Sequence, residues 1–327
     1  MNANTRREEA EEAIESINKR TGRNMPQAIA TGAILVVMIL ASLIINVDLF
    51  VGVVVVFMML ALWELRVDYA TVGIRIPVVS LWVTSLVALV ATYLAPHHIE
   101  AMAITIAVAL VCVAVFASCK WNLTNGRIAM AVASKLSNAD AQMRSESSFN
   151  TGVDAHEVPR ITNVAISLFT VLYIPFLACF VVLPLTWDHP VGHAFLTVFV
   201  PSLGDIGGLV FGAWLGRHKL SPRISPKKSV EGLCGSMLFC TIGVLAIFLF
   251  SYDLPVIIAH WWVIPLMGIA VGIIGTFGDL CASMIKRDLG IKDMGHLLKG
   301  HGGVMDRVDS ILLAAPVICL MLFFTGL

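Results

Sequence analysis

Charge is scarce in this sequence: 13% of its 327 residues are Asp, Glu, Lys or Arg, while 58% are hydrophobic. A soluble domain carries about 25% charged residues, so that class is excluded. Cysteine pairs are missing too. Cys112, Cys119, Cys179, Cys234, Cys240, Cys281 and Cys319 form no CxxC and lie mostly in apolar stretches, where a thiol acts as a small hydrophobe. Neither a disulfide framework nor a thiolate metal centre is expected. The N-terminus lacks a short apolar core followed by a cleavage site, so no signal peptide is expected to be removed. There is no low-complexity tract and no repeat.

What is present is long apolar runs, with a mean hydropathy of +0.86. A helix needs about 20 mostly apolar residues to cross a bilayer. Nine segments qualify: Ala28–Ile45, Leu49–Leu65, Ile76–Leu94, Ala101–Ala117, Ile161–Leu185, Val191–Leu215, Leu233–Tyr252, Ile257–Phe277 and Ser310–Phe324. The expected fold is therefore an all-α polytopic integral membrane protein of about nine transmembrane helices. The domain reading is a tail over 1–24, four helices over 25–117, a cytoplasmic loop over 118–160 with an amphipathic piece near Arg127–Met143, and a catalytic transmembrane region over 161–327. With the N-terminus cytoplasmic, the outside segments Asn46–Asp48, Ala95–Glu100, Thr186–Pro190 and Asp253–Val256 contain no Lys or Arg, and all 22 basic residues fall inside. That agrees with the positive-inside bias and leaves the C-terminus outside. It also puts the Asn122-Leu-Thr triplet in the cytoplasm, away from glycosylation.

The charges that remain gather in two cytoplasmic connections, Arg217–Glu231 and Lys286–Asp309. Charge near lipid is costly unless paired, hydrated or metal-bound, so such clusters point to function. Asp279 lies seven residues before Lys286, which is about 10 Å deeper on a continuous helix. Ser283 follows Asp279 at i+4 on the same face. Asp306 and Asp309, at i, i+3, share a face at the start of the last span. Three carboxylates meeting at a membrane boundary repel one another unless protonated or bridged, and oxygen-only donors beside phosphates suit Mg²⁺, with Mn²⁺ as the alternative. The competing reading has them capping helices and pairing with Arg287 and Arg307. Asp205, inside an apolar run, is read as lying on the wall of a polar funnel open to the cytoplasm, with a neutral, hydrogen-bonded Asp as the alternative.

Three further features are weaker. His301-Gly302-Gly303 is a turn whose amides can approach an anion, and Ser225-Pro-Lys227-Lys228-Ser229 is a basic turn suited to phosphate or to anchoring. Gly204, Gly208, Gly212 and Gly216 recur every four residues and give a smooth helical face, with Gly268 and Gly272 repeating the device. His97-His98, His189 and His193 fall on the outside and carry no expected role; Trp187, Trp261 and Trp262 are read as interfacial.

These residues resemble a known signature. Ser283-x-x-Lys286-Arg287, Lys292-Asp293-x-Gly295, Leu298, His301-Gly302-Gly303 and Asp306-Arg307-x-Asp309 together resemble the phosphatidate cytidylyltransferases, or CDP-diacylglycerol synthases. The run from Gly216 to Gly232, with Lys227 and Lys228, is similar to that family's second shared stretch, and Asp205 falls where the family has an acidic residue. Lys299 and Leu209 depart from the pattern. The likeness covers roughly residues 200–310. It implies transfer of a cytidylyl group from CTP to phosphatidic acid in phospholipid biosynthesis. The implied catalytic set is Asp279, Lys286, Arg287, Asp306 and Asp309, with Mg²⁺ held by Asp279, Asp306 and Asp309. The implied substrate contacts are Asp205, Ser225, Lys227, Lys228, Ser283, Lys292, Asp293, His301, Gly302, Gly303 and Arg307. A second, monovalent ion, a homodimer, membrane lipids but no nucleic acid as partners, and a bacterial cytoplasmic membrane complete what the resemblance implies. The rival readings are another lipid phosphate as acceptor, a CTP-dependent lipid kinase, a transporter and a non-catalytic scaffold.

Overall fold

The structure, a computed structural model, describes residues 25–119, 159–291, 294–295 and 303–327, with side chains from residue 31 on. Apolar runs of this length become helices because only a helix satisfies every backbone N–H and C=O within one segment in lipid. α1 (Met25–Ile45) and α2 (Val47–Thr71) are separated by Asn46 alone, whose side chain accepts from the Asp48 amide and caps α2. α3 (Val78–Leu94) and α4 (His98–Ser118) follow as a close antiparallel pair. The next apolar segment, Arg160–Thr186, is bent. α5 (Arg160–Val171) runs into a π-turn over Leu172–Phe176, then α6 (Leu177–Val182) and a tight turn over Leu183–Thr186. Pro175, which cannot donate to the helical ladder, sits in that π-turn.

α7 (Pro190–Leu215) starts on a proline at its first position and ends at Gly216. A short antiparallel hairpin, β1 (Lys219–Ser221) with β2 (Ser225–Ser229), leads into α8 (Val230–Ser251). Ser229 closes the hairpin and caps α8, its Oγ accepting from the Gly232 amide at 3.1 Å. The hairpin is the exception to an all-α fold; the sequence reading had a basic turn there. α9 (Leu254–Ala259) is a single short helix, α10 (Val263–Asp288) is long, and α11 (Met305–Thr325) ends the chain. The span expected over Ile257–Phe277 is thus displaced: α10 starts at Val263 and continues as one helix through Asp279, Ser283, Lys286 and Arg287.

Among the described residues, seven helical segments are long and apolar enough to cross a membrane, and Thr31–Ile45 and Val78–Leu94 are shorter apolar helices. The protein is an all-α polytopic membrane protein with one small hairpin. The expected tail over 1–24, the amphipathic piece near Arg127–Met143, and Lys292, Asp293, Lys299, His301 and Gly302 lie outside the described residues.

Two cores hold the helices together. The larger joins α2, α3, α4, the bent α5–α6 segment and one side of α11 through Phe50, Leu62, Leu65, Leu81, Leu89, Ile174 and Leu312. The smaller joins α7, α8, α10 and the end of α11 through Leu196, Val244, Phe248, Met267 and Ile318. Around the smaller core, contact is made by backbone. A Cβ on Gly204 would stand 2.7 Å from Cys240 Sγ, one on Gly208 2.8 Å from Ser236 Oγ, and one on Gly207 2.5 Å from the Gly235 carbonyl. Gly272 meets Met237 Cα at 2.6 Å and Gly278 meets the Asp309 carbonyl at 2.7 Å by the same measure. The glycine face expected on this helix is therefore real. It brings α7, α8, α10 and α11 close enough for short polar side chains on all four to meet.

Candidate active site

The glycine-packed helices and the hairpin enclose a polar cavity of about 610 Å³. Its wall contains four carboxylates, Asp205 from α7, Asp279 from α10, and Asp306 and Asp309 from α11, together with Lys219, Lys227, Lys228 and Arg307. The three aspartates read from sequence as converging do face one space. Gly208, Gly212 and Gly232 line it as well, so the small residues that allow close packing also leave the room.

Each acidic group has a defined partner. Lys228 Nζ lies 2.8 Å from Asp279 Oδ2 and donates to the Thr276 carbonyl at 2.9 Å, which holds β2 over α10. Ser283 Oγ reaches Asp279 Oδ1 at 3.5 Å, as its i+4 position foretold. Lys286 Nζ lies 2.8 Å from Asp306 Oδ1, and Asp306 Oδ2 accepts from the amides of Met294 and Gly303 at 3.1 and 3.4 Å. Both oxygens of Asp306 are thus engaged by protein donors. Ser310 serves two carboxylates: its Oγ donates to Asp205 Oδ2 at 2.8 Å and its amide to Asp309 Oδ1 at 2.7 Å. Asp205 is both part of a cavity wall and a hydrogen-bonded group.

Lys228 and Lys286 form ion pairs with cavity carboxylates, and Lys219, Lys227, Lys228 and Arg307 line the cavity with Ser225. Arg287 turns the other way, its Nε donating to the Ile224 carbonyl at 3.5 Å and tying α10 to the hairpin turn. Glu231 secures the hairpin base by accepting from the Arg217 and His218 amides at 3.1 and 3.2 Å and from the His218 ring at 2.6 Å.

Among the described residues, no three His, Cys, Asp or Glu groups stand close enough to hold a metal by themselves. A three-aspartate chelate is therefore not built from protein alone. The donors still fit Mg²⁺ chemically: they are all oxygen, and Mg²⁺ is commonly held by one or two carboxylates plus substrate phosphates.

A second cavity, of about 440 Å³, adjoins the first and is lined by Leu35, Ile39, Phe50, Val54, Phe57 and other apolar residues of α1, α2, α7 and α11. Asp205, Asp306 and Arg307 belong to the walls of both cavities. Sequence reasoning missed this cleft, because the first helices read only as spans. It also passed over Ser236 and Thr276 in the polar wall, and it placed Lys219 and Ser229 only within longer stretches, with no role of their own.

The model of the cytidylyltransferase family matches residues 26–325, including the N-terminal helices. Relatives of the chain carry the name phosphatidate cytidylyltransferase, among them three bacterial proteins. The one from Mycobacterium leprae (strain TN) is 37% identical over 163 residues, 50% of this chain and 50% of that protein. The one from Staphylococcus haemolyticus (strain JCSC1435) is 40% identical over 134 residues, 41% and 49% of the two chains. The one from Synechocystis sp. (strain ATCC 27184 / PCC 6803 / Kazusa) is 39% identical over 150 residues, 41% and 46%. The matches span about half the length of these relatives. With a family model matched along nearly all of its length, the chain belongs to the cytidylyltransferase family.

Proposed function

We propose that the protein transfers the cytidylyl group of CTP to phosphatidic acid, releasing pyrophosphate and forming CDP-diacylglycerol. The observation that carries this is the shared wall: a polar, basic-and-acidic cavity and an apolar cleft meet at Asp205, Asp306 and Arg307. A nucleotide triphosphate suits the first, an acyl chain suits the second, and the lipid phosphate would lie at the junction beside Arg307. A charged triphosphate needs fixed cations, and Lys219, Lys227, Lys228 and Arg307 line the space.

In the reaction a lipid phosphate oxygen forms a bond to the α-phosphorus of CTP, and the bond from that phosphorus to the β-phosphate bridging oxygen breaks. The nucleophile is already ionised near neutral pH, so no general base is needed. Positioning and electrostatic stabilisation supply the rate. In this reading Asp279 and Asp309, with Asp205 nearby, would hold Mg²⁺ against the phosphates, whereas Asp306 anchors the backbone at Met294 and Gly303. The ion supplies charge neutralisation on the phosphoryl oxygens. Lys228 pairs with Asp279 and orients it, and Lys286 does the same for Asp306. Lys292, Asp293, His301 and Gly302 remain candidate substrate contacts, and Mn²⁺ and a monovalent ion remain candidate cofactors.

The same reading takes nine spans with the N-terminus and the active site on the cytoplasmic side, the C-terminus outside and a homodimer in a bacterial membrane. The test is product analysis. Purified protein with CTP, Mg²⁺ and a panel of lipid phosphates should give CDP-diacylglycerol and pyrophosphate with phosphatidic acid. CDP as the released nucleotide would instead mean a kinase, and turnover only with another lipid phosphate would change the acceptor.

A further inference from the structure

Glu64 is a carboxylate that the chemistry above does not use. It sits on α2, 2% exposed, and is followed on the same helix by two more buried charged residues, Arg66 and Asp68. Its Oε2 accepts from the backbone amide of Met305 at 3.0 Å, a residue 241 positions later in the chain. Met305 opens α11, the helix that carries Asp306, Arg307 and Asp309.

Two glycines close around the same carboxylate. Gly295 has φ of 62°, and a Cβ there would stand 2.5 Å from Glu64 Oε1. A Cβ on Gly303 would stand 2.7 Å from Glu64 Oε2 and would also run into the Met294 carbonyl. The left-handed backbone at Gly295 and the lack of a side chain at both positions let the backbone of these two residues lie directly on Glu64. The backbone at Met294, Gly303 and Met305 is thus gripped from two sides. Asp306 takes the amides of Met294 and Gly303, and Glu64 takes the amide of Met305 from the N-terminal half. A buried carboxylate costs several kcal/mol unless hydrogen-bonded, so a side chain serving packing alone would be replaceable by an apolar one at this position.

We infer that Glu64 is a positioning residue for cytidylyl transfer. It fixes the start of α11 through the Met305 amide, and so sets where Asp309 and Arg307 enter the cavity, without touching substrate. The inference rests on the proposed activity, and it also makes a claim about structure alone.

The experiment uses full-length protein in detergent. Glu64→Ala removes the acceptor, while Glu64→Gln keeps an amide oxygen of the same reach. Because small displacements of a catalytic group cost about 10²-fold, Glu64→Ala should lower kcat about 30-fold or more, with KM for CTP within about threefold. Glu64→Gln should be at least about ten times as active as Glu64→Ala. Hydrogen exchange of peptides covering 303–312 should speed up about tenfold or more in Glu64→Ala, while the melting temperature moves by only a few degrees. A merely structural role would lower the melting temperature and the active fraction but leave kcat per folded molecule unchanged. Unchanged kcat, unchanged exchange over 303–312, or equal inactivity of the Ala and Gln variants overturns the inference. Should Glu64→Ala fail to fold, Gly295→Ala, which pushes a methyl group into the carboxylate, must reproduce the kcat loss and the faster exchange; normal values of both there overturn it. A wild-type protein inactive on CTP and phosphatidic acid defeats the proposed function, while the exchange comparison still decides whether Glu64 holds α11.

Discussion

The N-terminal helices α1–α4 and the C-terminal helices α7, α8, α10 and α11 are equally apolar to the eye, yet they are packed by different means. In the first set large side chains do the filling: Phe50, Leu62, Leu65, Leu81 and Leu89 are fully or almost fully buried, and Gly52 on α2 has nothing within 4 Å of the place a Cβ would take. In the second set glycines bring backbone against backbone, as at Gly207 and Gly235, whose added Cβ atoms would each stand 2.5 Å from the other's carbonyl. Large side chains make a tight but chemically inert wall, the apolar cleft. Backbone-close packing lets Asp205, Asp279, Asp306 and Asp309, on three helices, look into one space. In that set, buried charge is admitted because each of these carboxylates finds a lysine, a hydroxyl or an amide.

That contrast can be broken first at the glycines. Gly235→Val places branched carbon atoms where the Gly207 carbonyl and the Phe211 ring already sit. Overpacking of this kind costs at least about 1–3 kcal/mol and forces α7 and α8 apart. Loss of folded, monodisperse protein on size exclusion is the expected result, and normal yield would show the contact to be pliable. Lys228→Met comes next. It removes the cation 2.8 Å from Asp279 and leaves that carboxylate with its hydroxyl partner alone. Steady-state kinetics should show a loss of about 10²-fold in kcat/KM. Ser310→Ala takes one hydroxyl from Asp205 but leaves the amide on Asp309. One hydrogen bond to a carboxylate is worth about 1.5–3 kcal/mol, so an initial-rate assay should find a loss of about tenfold to 10²-fold, at or below that of Lys228→Met. Gly52→Ala is the control from the other region. With open space around it, the change should leave activity untouched and raise the melting temperature slightly, since Ala is favoured over Gly in a helix by about 0.5–1 kcal/mol.

The apolar segments were legible in the sequence because the signal for a span is the composition of about 20 consecutive residues, which needs no partner. The glycine face of α7 was legible for a similar reason, since spacing by four lies on one side of any helix. What could not be read was pairing across helices. Nothing in the order of residues says that Lys228 meets Asp279 while Lys286 meets Asp306, because that depends on how the hairpin folds over α10. Asp306 was grouped with Asp279 and Asp309 on the spacing of carboxylates, yet its two oxygens are occupied by Lys286 and two amides. Glu64 did carry a signal, a carboxylate at the end of an apolar run. It was passed over because the early spans were read for hydrophobicity alone. The hairpin was hidden by Pro226 and two lysines, which read as a turn.

The account stands on Asp279 and Asp309 acting together at the nucleotide end of the polar cavity. The most direct measurement is incorporation of labelled CTP into lipid by wild type, Asp279→Asn and Asp309→Asn, with phosphatidic acid and a titration of Mg²⁺. The account predicts that both variants fold with normal melting curves and lose about 10³-fold or more of the wild-type rate at every Mg²⁺ concentration, as removal of a group that acts on transition-state charge requires. Turnover near the wild-type rate in either variant would contradict it.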